Sequence, residues 1–112
     1  MPRVSGTKRS ILDAALELAS LNGITGTTME DVAVRAGVAK GSVYYNFSSK
    51  DKLFEQLLLD GVGSLAETLR SARAGKTGAA ALGAMVNAML EAISENQPLA
   101  KLIAAEIFRT DR

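Results

Sequence analysis

The stretch Gly37–Phe54, GVAKGSVYYNFSSKDKLF, decides the reading of this chain. It gathers aromatics, small polar groups and lysines into one short helix and the entrance to the next. The whole chain holds two tyrosines and three phenylalanines, and four of these five (Tyr44, Tyr45, Phe47, Phe54) stand here, so its unusual chemistry is local. Consecutive helical residues point about 100° apart, so Tyr44 and Tyr45 cannot both face one core. At least one phenol is expected to reach outward, among Lys40, Ser42, Asn46 and Lys50. Outward hydroxyls, amides and ammonium groups on a short helix are what a nucleic-acid backbone needs.

On the N-terminal side of this stretch, Thr7 to Asn22 reads as a helix. Ile11, Leu12, Ala15, Leu16, Leu18 and Ala19 form its apolar stripe, with Lys8, Arg9, Asp13 and Glu17 opposite. Asn22-Gly23 supplies a left-handed stop. GITGTT follows as a loop in which Ile24 is expected to plug the core. A second, short helix begins near Thr28, whose hydroxyl can cap it, with Glu30 and Asp31 in the first turn. Thr27 with Glu30 makes an equally good capping box, so the start is open by one residue. This helix ends at Ala36-Gly37, and a third runs from about Lys40 to Phe47.

On the C-terminal side, Ser48-Ser49 caps a longer fourth helix with a seam of Leu53, Phe54, Leu57, Leu58, Val62, Leu65 and Leu69. Gly61 and Gly63 interrupt it, each at about 1 kcal/mol relative to Ala; they mark either close packing against a neighbouring helix or a bend. AGKTG at 74–78 is the clearest linker. Leu82, Met85, Val86, Met89, Leu90 and Ile93 then define a fifth helix, with the methionines expected to fill core rather than line a ligand site. ENQPL breaks the chain, and Pro98 suits the first turn of a sixth helix ending near Phe108. No strand pattern and no repeat is present. The predicted class is all-α.

Composition narrows the function. The 112 residues suit one domain, or one plus part of another, and a hydrophobic fraction of 47% is enough for a small helical core. Net charge is only +1, but it is unevenly spread. Residues 1–52 carry seven Lys/Arg against five Asp/Glu, and residues 53–112 six against seven, a basic bias at the front that suits a polyanion partner. With no cysteine and no histidine, disulfides and thiol chemistry are excluded, and no catalytic, cofactor or metal site is expected. MPRVSGTKRSIL lacks the apolar run of a signal peptide, and Asn87 and Glu91 interrupt the most apolar stretch, so a soluble cytoplasmic protein with no membrane partner is expected.

The second and third helices fit a helix-turn-helix. The tight turn wants glycine, which Gly37 supplies, and Ala33, four positions earlier, is the small residue where two helices cross closely. Val32, Val38 and Val43 then lock the pair to the first helix. Together with the segment that follows, TTMEDVAVRAGVAKGSVYYNFSSKDKLF is very similar to the signature of the TetR family of transcriptional regulators. The resemblance covers about Thr7 to Leu58.

It implies a three-helix DNA-binding domain (residues 1–48), followed by a long connecting helix and two further helices of a truncated regulatory and dimerisation domain (49–112). It further implies a homodimer on a palindromic operator, acting as a repressor and released by a small effector, which the apolar fifth and sixth helices suggest is itself apolar. Three departures stand out. Asn46 takes a position usually held by histidine, Ala39 stands where Ser or Thr commonly caps the recognition helix, and family members are considerably longer, so this chain is expected to be a fragment or a shortened relative.

A helix of about seven residues spans about 10 Å, enough to read a few base pairs in the major groove. Lys40, at its start, is the first choice for a base contact, with a phosphate contact or a solvated lysine the alternatives. Gly41 would let backbone approach the groove floor. Ser42 and Tyr44 would reach bases or nearby phosphates, Tyr45 and Asn46 phosphate, and Phe47 the core. Lys50 and Lys52 put positive charge where the helix dipole disfavours it, a penalty a docked phosphate would reverse, so Lys50 is expected to contact phosphate, ahead of Lys52. Thr28 is a phosphate candidate by the same logic. Arg3, Lys8 and Arg9 are candidates for an arm, with a frayed tail the simpler reading for Arg3. The rival function is a helical module that binds protein rather than DNA; lysines at 40, 50 and 52 argue against it, because protein interfaces are depleted in Lys.

Overall fold

The computed structural model describes residues 6–108, and the described residues form helices joined by turns, without a strand. They are α1 (Gly6–Asn22), α2 (Met29–Ala36), α3 (Lys40–Asn46), α4 (Lys50–Arg73), α5 (Gly78–Glu95) and α6 (Gln97–Phe108). The order and nearly all limits agree with the periodicity of the sequence, and the all-α class stands. Arg3 lies outside the described residues.

Why the elements stop where they do is visible in their caps. Thr28, not Thr27, begins α2: its Oγ1 accepts from Asp31 N at 3.0 Å while Asp31 Oδ2 accepts from Thr28 N at 3.3 Å. Thr27 is instead fully buried and donates its hydroxyl to Gly23 O at 2.8 Å. Gly37 ends α2 at φ +74°, a left-handed conformation that side chains disfavour, and its N–H and that of Val38 close on carbonyls of α2's last turn. Ala39 leaves α3 without a side-chain cap, as the missing hydroxyl requires. Helix α3 ends one residue early because Phe47 turns extended and drops into the core. Ser49 Oγ accepts from Lys52 N at 3.2 Å and starts α4.

The core is one cluster. Ile11, Leu12, Ala15 and Ala19 of α1 meet Val32 and Ala33 of α2, Val43 of α3, Phe47, and Leu53, Phe54 and Leu57 of α4. Ile24 packs against it, as expected of the loop. Leu102 of α6 belongs to the same cluster at 2% exposure, so α6 reaches back onto α1, and buried packing runs continuously across residue 48. On the surface, Arg35 Nε and Nη2 both donate to Glu17 Oε1, at 3.1 and 2.8 Å, pinning α2 to α1; both partners are half exposed, so the bridge contributes at most about 1 kcal/mol.

Gly61 is a packing glycine. A Cβ built there would lie 2.9 Å from both Leu99 methyl carbons, so α4 and α6 touch through this notch, whereas a Cβ at Gly63 would meet nothing within 4 Å. Helix α5 departs from expectation. It lies along α4 through the half-buried side of Ala81, Ala84, Met85, Ala88 and Ala92, while Leu82, Val86, Met89, Leu90 and Ile93 stay exposed. Small residues permit the closest approach, so alanines rather than the bulky stripe face the neighbour. Met85 is half-buried and Met89 exposed, so the pair does not fill core as the spacing suggested.

Candidate nucleic-acid interface

Spacing sorts the seven residues of α3 and Phe47, which follows it, into four pairs four residues apart. Val43 and Phe47 point inward and are buried. Gly41 and Tyr45 lie about 160–200° from Val43, on the opposite face. Lys40 with Tyr44 forms one flank, and Ser42 with Asn46 the other. Exposure follows this order: Tyr45 is 90% exposed, Tyr44 45%, and Lys40 and Gly41 are exposed, while Ser42 and Asn46 are half-buried. Both phenols therefore leave the core, Tyr45 almost completely. A Cβ at Gly41 would meet nothing within 4 Å, so nothing inside the protein demands glycine there.

Around this face the other candidates are placed unequally. Thr28 is exposed, and because its oxygen accepts from Asp31, its hydroxyl hydrogen points elsewhere and can donate. Lys8 holds its ammonium 5.4 Å from the centre of the Phe47 ring, beside the end of α3. Asn46 commits one amide hydrogen to Ser42 O at 2.8 Å, which leaves one for an outside acceptor. Lys52 is exposed and pairs loosely with Glu55 at 3.6 Å.

Lys50 makes contacts within the fold that the sequence did not suggest. Its ammonium turns back on the protein and donates to Ile24 O at 2.9 Å and Thr27 O at 3.0 Å. Two backbone carbonyls of the α1–α2 turn thus share the charge at the start of α4, and the third ammonium hydrogen remains for an outside acceptor. Sequence reasoning also passed over Thr27, which looked like a spare cap. The signal lay in its spacing from Gly23: a Thr four residues after a helix-stopping glycine can return its hydroxyl to that carbonyl, but the same residue one step earlier in a capping box reads equally well. Among the described residues no three His, Cys, Asp or Glu gather as a metal site would require, and no helix is long and apolar enough to cross a membrane.

A second feature lies away from α3. Between α4, the end of α5 and α6 is a cavity of about 220 Å³, walled by Leu65, Ile93, Leu99 and Ile103, with Ser64, Thr68, Glu95 and Asn96 among its polar groups.

The profile of the bacterial regulatory proteins of the tetR family matches residues 11–57, from the buried stripe of α1 to Leu57 of α4. The chain belongs to the TetR family. Over 104 residues this TetR-family chain is 31% identical to the HTH-type transcriptional repressor KstR2 of Rhodococcus jostii (strain RHA1), covering 92% of the chain and 51% of that protein. Over 49 residues it is 43% identical to IcaR of Staphylococcus aureus (strain Newman), the HTH-type negative transcriptional regulator of the biofilm operon icaADBC, covering 44% of the chain and 26% of that protein. The solved structure of the fatty acid degradation regulator FadR from Bacillus halodurans superposes with a TM-score of 0.83 over 91% of the chain and 55% of that chain, at 23% identity, a likeness of fold. The TetR-family chain spans about half the length of KstR2 and FadR.

Proposed function

We propose that this TetR-family chain is the operator-binding part of a transcriptional repressor that seats α3 in the major groove of DNA. The observation that carries the reading is the face of α3 opposite Val43 and Phe47, where Lys40, Gly41, Tyr44 and Tyr45 stand exposed. Gly41 brings backbone to the groove floor, and Lys40 reads guanine O6 and N7. Ser42 and Tyr44 reach base edges or adjoining phosphates. Tyr45, the free hydrogen of Asn46 and the Thr28 hydroxyl hold phosphate and set the register. Repression, rather than activation, is supported by likeness to a repressor and a negative regulator.

A palindromic operator and a homodimer belong to this reading, since a two-fold protein matches half-sites about 34 Å apart, one turn of duplex. The apolar residues left exposed on α5 and α6, such as Leu82, Val86, Leu90, Ile107 and Phe108, support burial of these helices against further protein. The cavity beneath Gly61 and Leu99 supports a small, largely apolar effector, oriented by the Ser64 and Thr68 hydroxyls or the Asn96 amide. Its binding would move α6, which carries Ile103 at the cavity and Leu102 in the core of the DNA-binding head, and so loosen the grip on DNA.

The exposed strip on α5 also fits a module that binds protein alone, and one experiment separates the two. Fluorescence anisotropy is measured with a random duplex and with duplexes enriched by the protein from a randomised pool, at two salt concentrations. The expected result is tighter binding to the enriched sequence and a log–log fall of affinity with salt. Absent or salt-insensitive binding overturns the proposal.

A further inference from the structure

The cavity between α4, the end of α5 and α6 has a charge sign as well as apolar walls. At about 220 Å³ it falls below the roughly 300–1,000 Å³ usual for drug-sized ligands, so its occupant must be small. Leu65, Ile93, Leu99 and Ile103 favour an apolar body. Among the described residues one charged side chain stands in the wall, Glu95, and no lysine or arginine does. The Glu95 carboxylate enters no ion pair among the described residues.

The backbone at this end of the cavity has the same sign. Ala92, Ile93 and Glu95 belong to the last turn of α5, whose carbonyl end carries partial negative charge, and no basic residue in that turn offsets it. The opposing start of α6 would attract an anion, but its amides are already committed. Pro98 has no N–H, Leu99 N donates to Asn96 Oδ1 at 3.3 Å, and Ala100 N donates to Asn96 O at 3.1 Å. Ser64 and Thr68 on α4 add hydroxyl oxygens, which accept as readily as they donate. An ammonium group therefore meets a carboxylate, a helix carbonyl end and two hydroxyl acceptors, whereas a carboxylate meets repulsion from Glu95.

We infer that the cavity takes a small amphipathic amine, with its apolar body against Leu99 and Ile103 and its ammonium at Glu95. This deepens the effector reading given above and rests on it. Glu95 closes α5, and Asn96 both ends α5 and caps α6, so the ammonium binds where the two helices join. Size and charge sign together set the selectivity.

Three probes of equal chain length test this: hexylammonium, hexanol and hexanoate, each titrated into the 15N-labelled chain at neutral pH and low salt. Hexylammonium is expected to bind about two- to fivefold more tightly than hexanol, the range for one exposed ion pair, and hexanoate most weakly. The shifts should centre on Ser64, Asn96 and Ile103. Raising the salt should shrink the preference. Glu95→Gln should bring hexylammonium down to the affinity of hexanol and leave hexanol unchanged. Hexanoate binding as tightly as hexylammonium, or a preference that survives Glu95→Gln, overturns the inference. If Glu95→Gln does not fold, the order of the three probes on the wild type and its salt dependence decide. Binding of hexanol and hexylammonium with equal affinity sinks the amine class and keeps the cavity. Shifts in the cavity from none of the three sink the effector reading itself, so the two failures are distinct.

Discussion

Replacing Gly41 by alanine sets two consequences against each other. Gly41 is the second residue of α3, and a Cβ built on it meets no atom within 4 Å. In the free protein the added methyl therefore collides with nothing and removes backbone freedom from the unfolded chain, worth about 0.5–1 kcal/mol. For a domain of this size a kcal/mol moves the melting temperature by about 4–8 °C, so a rise of roughly 2–8 °C is expected. Gly41 also shares the outermost face of α3 with Tyr45, the side assigned to the groove floor. There the methyl must displace base edges or lift the helix, and overpacking of a close contact costs about 1–3 kcal/mol, a loss of roughly 5- to 150-fold in affinity. Circular dichroism melts and anisotropy with an enriched duplex measure both. A more stable protein with undiminished affinity would show that this face does not press on DNA, and a less stable one would refute the description of α3 itself.

Other substitutions probe single contacts. Lys40→Ala should lose preference at one base position per half-site in a scan of substituted duplexes; an equal loss at every position would contradict base reading. Tyr45→Phe should weaken DNA binding by about 0.5–1.5 kcal/mol with an unchanged melting temperature, because the phenol is 90% exposed and has no partner to lose in the fold; a fall in melting temperature would refute this. Thr27→Val keeps the shape but removes the hydrogen bond to Gly23 O, and should cost about 1–2 kcal/mol in thermal denaturation. Ala39→Ser supplies the cap that α3 lacks, and should raise stability by about 0.5–1 kcal/mol if serine closes on the first free amides.

The helices were legible in the sequence because each carries its own punctuation: Gly23 and Gly37 as stops, Thr28 and Ser49 as starts, Pro98 in a first turn. The outward face of α3 was legible too, since Val43 and Phe47 fix which way the other pairs must point. What could not be read was tertiary. The seam of α5 was assigned from its largest side chains, but packing against α4 uses its alanines, and only the neighbour's position decides between the two stripes. Lys50 was judged from its place in one helix, where a cation lacks a partner. Its partners lie 23 and 26 residues away, in a turn whose carbonyl directions no local pattern records. Leu102 looked like part of a separate half for the same reason, though it closes the core of the head.

On the proposed function, the exposed side of α3 meets duplex DNA. A 15N-labelled sample titrated with an enriched duplex tests it residue by residue. Amide signals of Thr28 and of Lys40 through Tyr45 should shift most, and return as salt is raised. Shifts centred on the exposed strip of α5, with those of α3 unmoved, would contradict it.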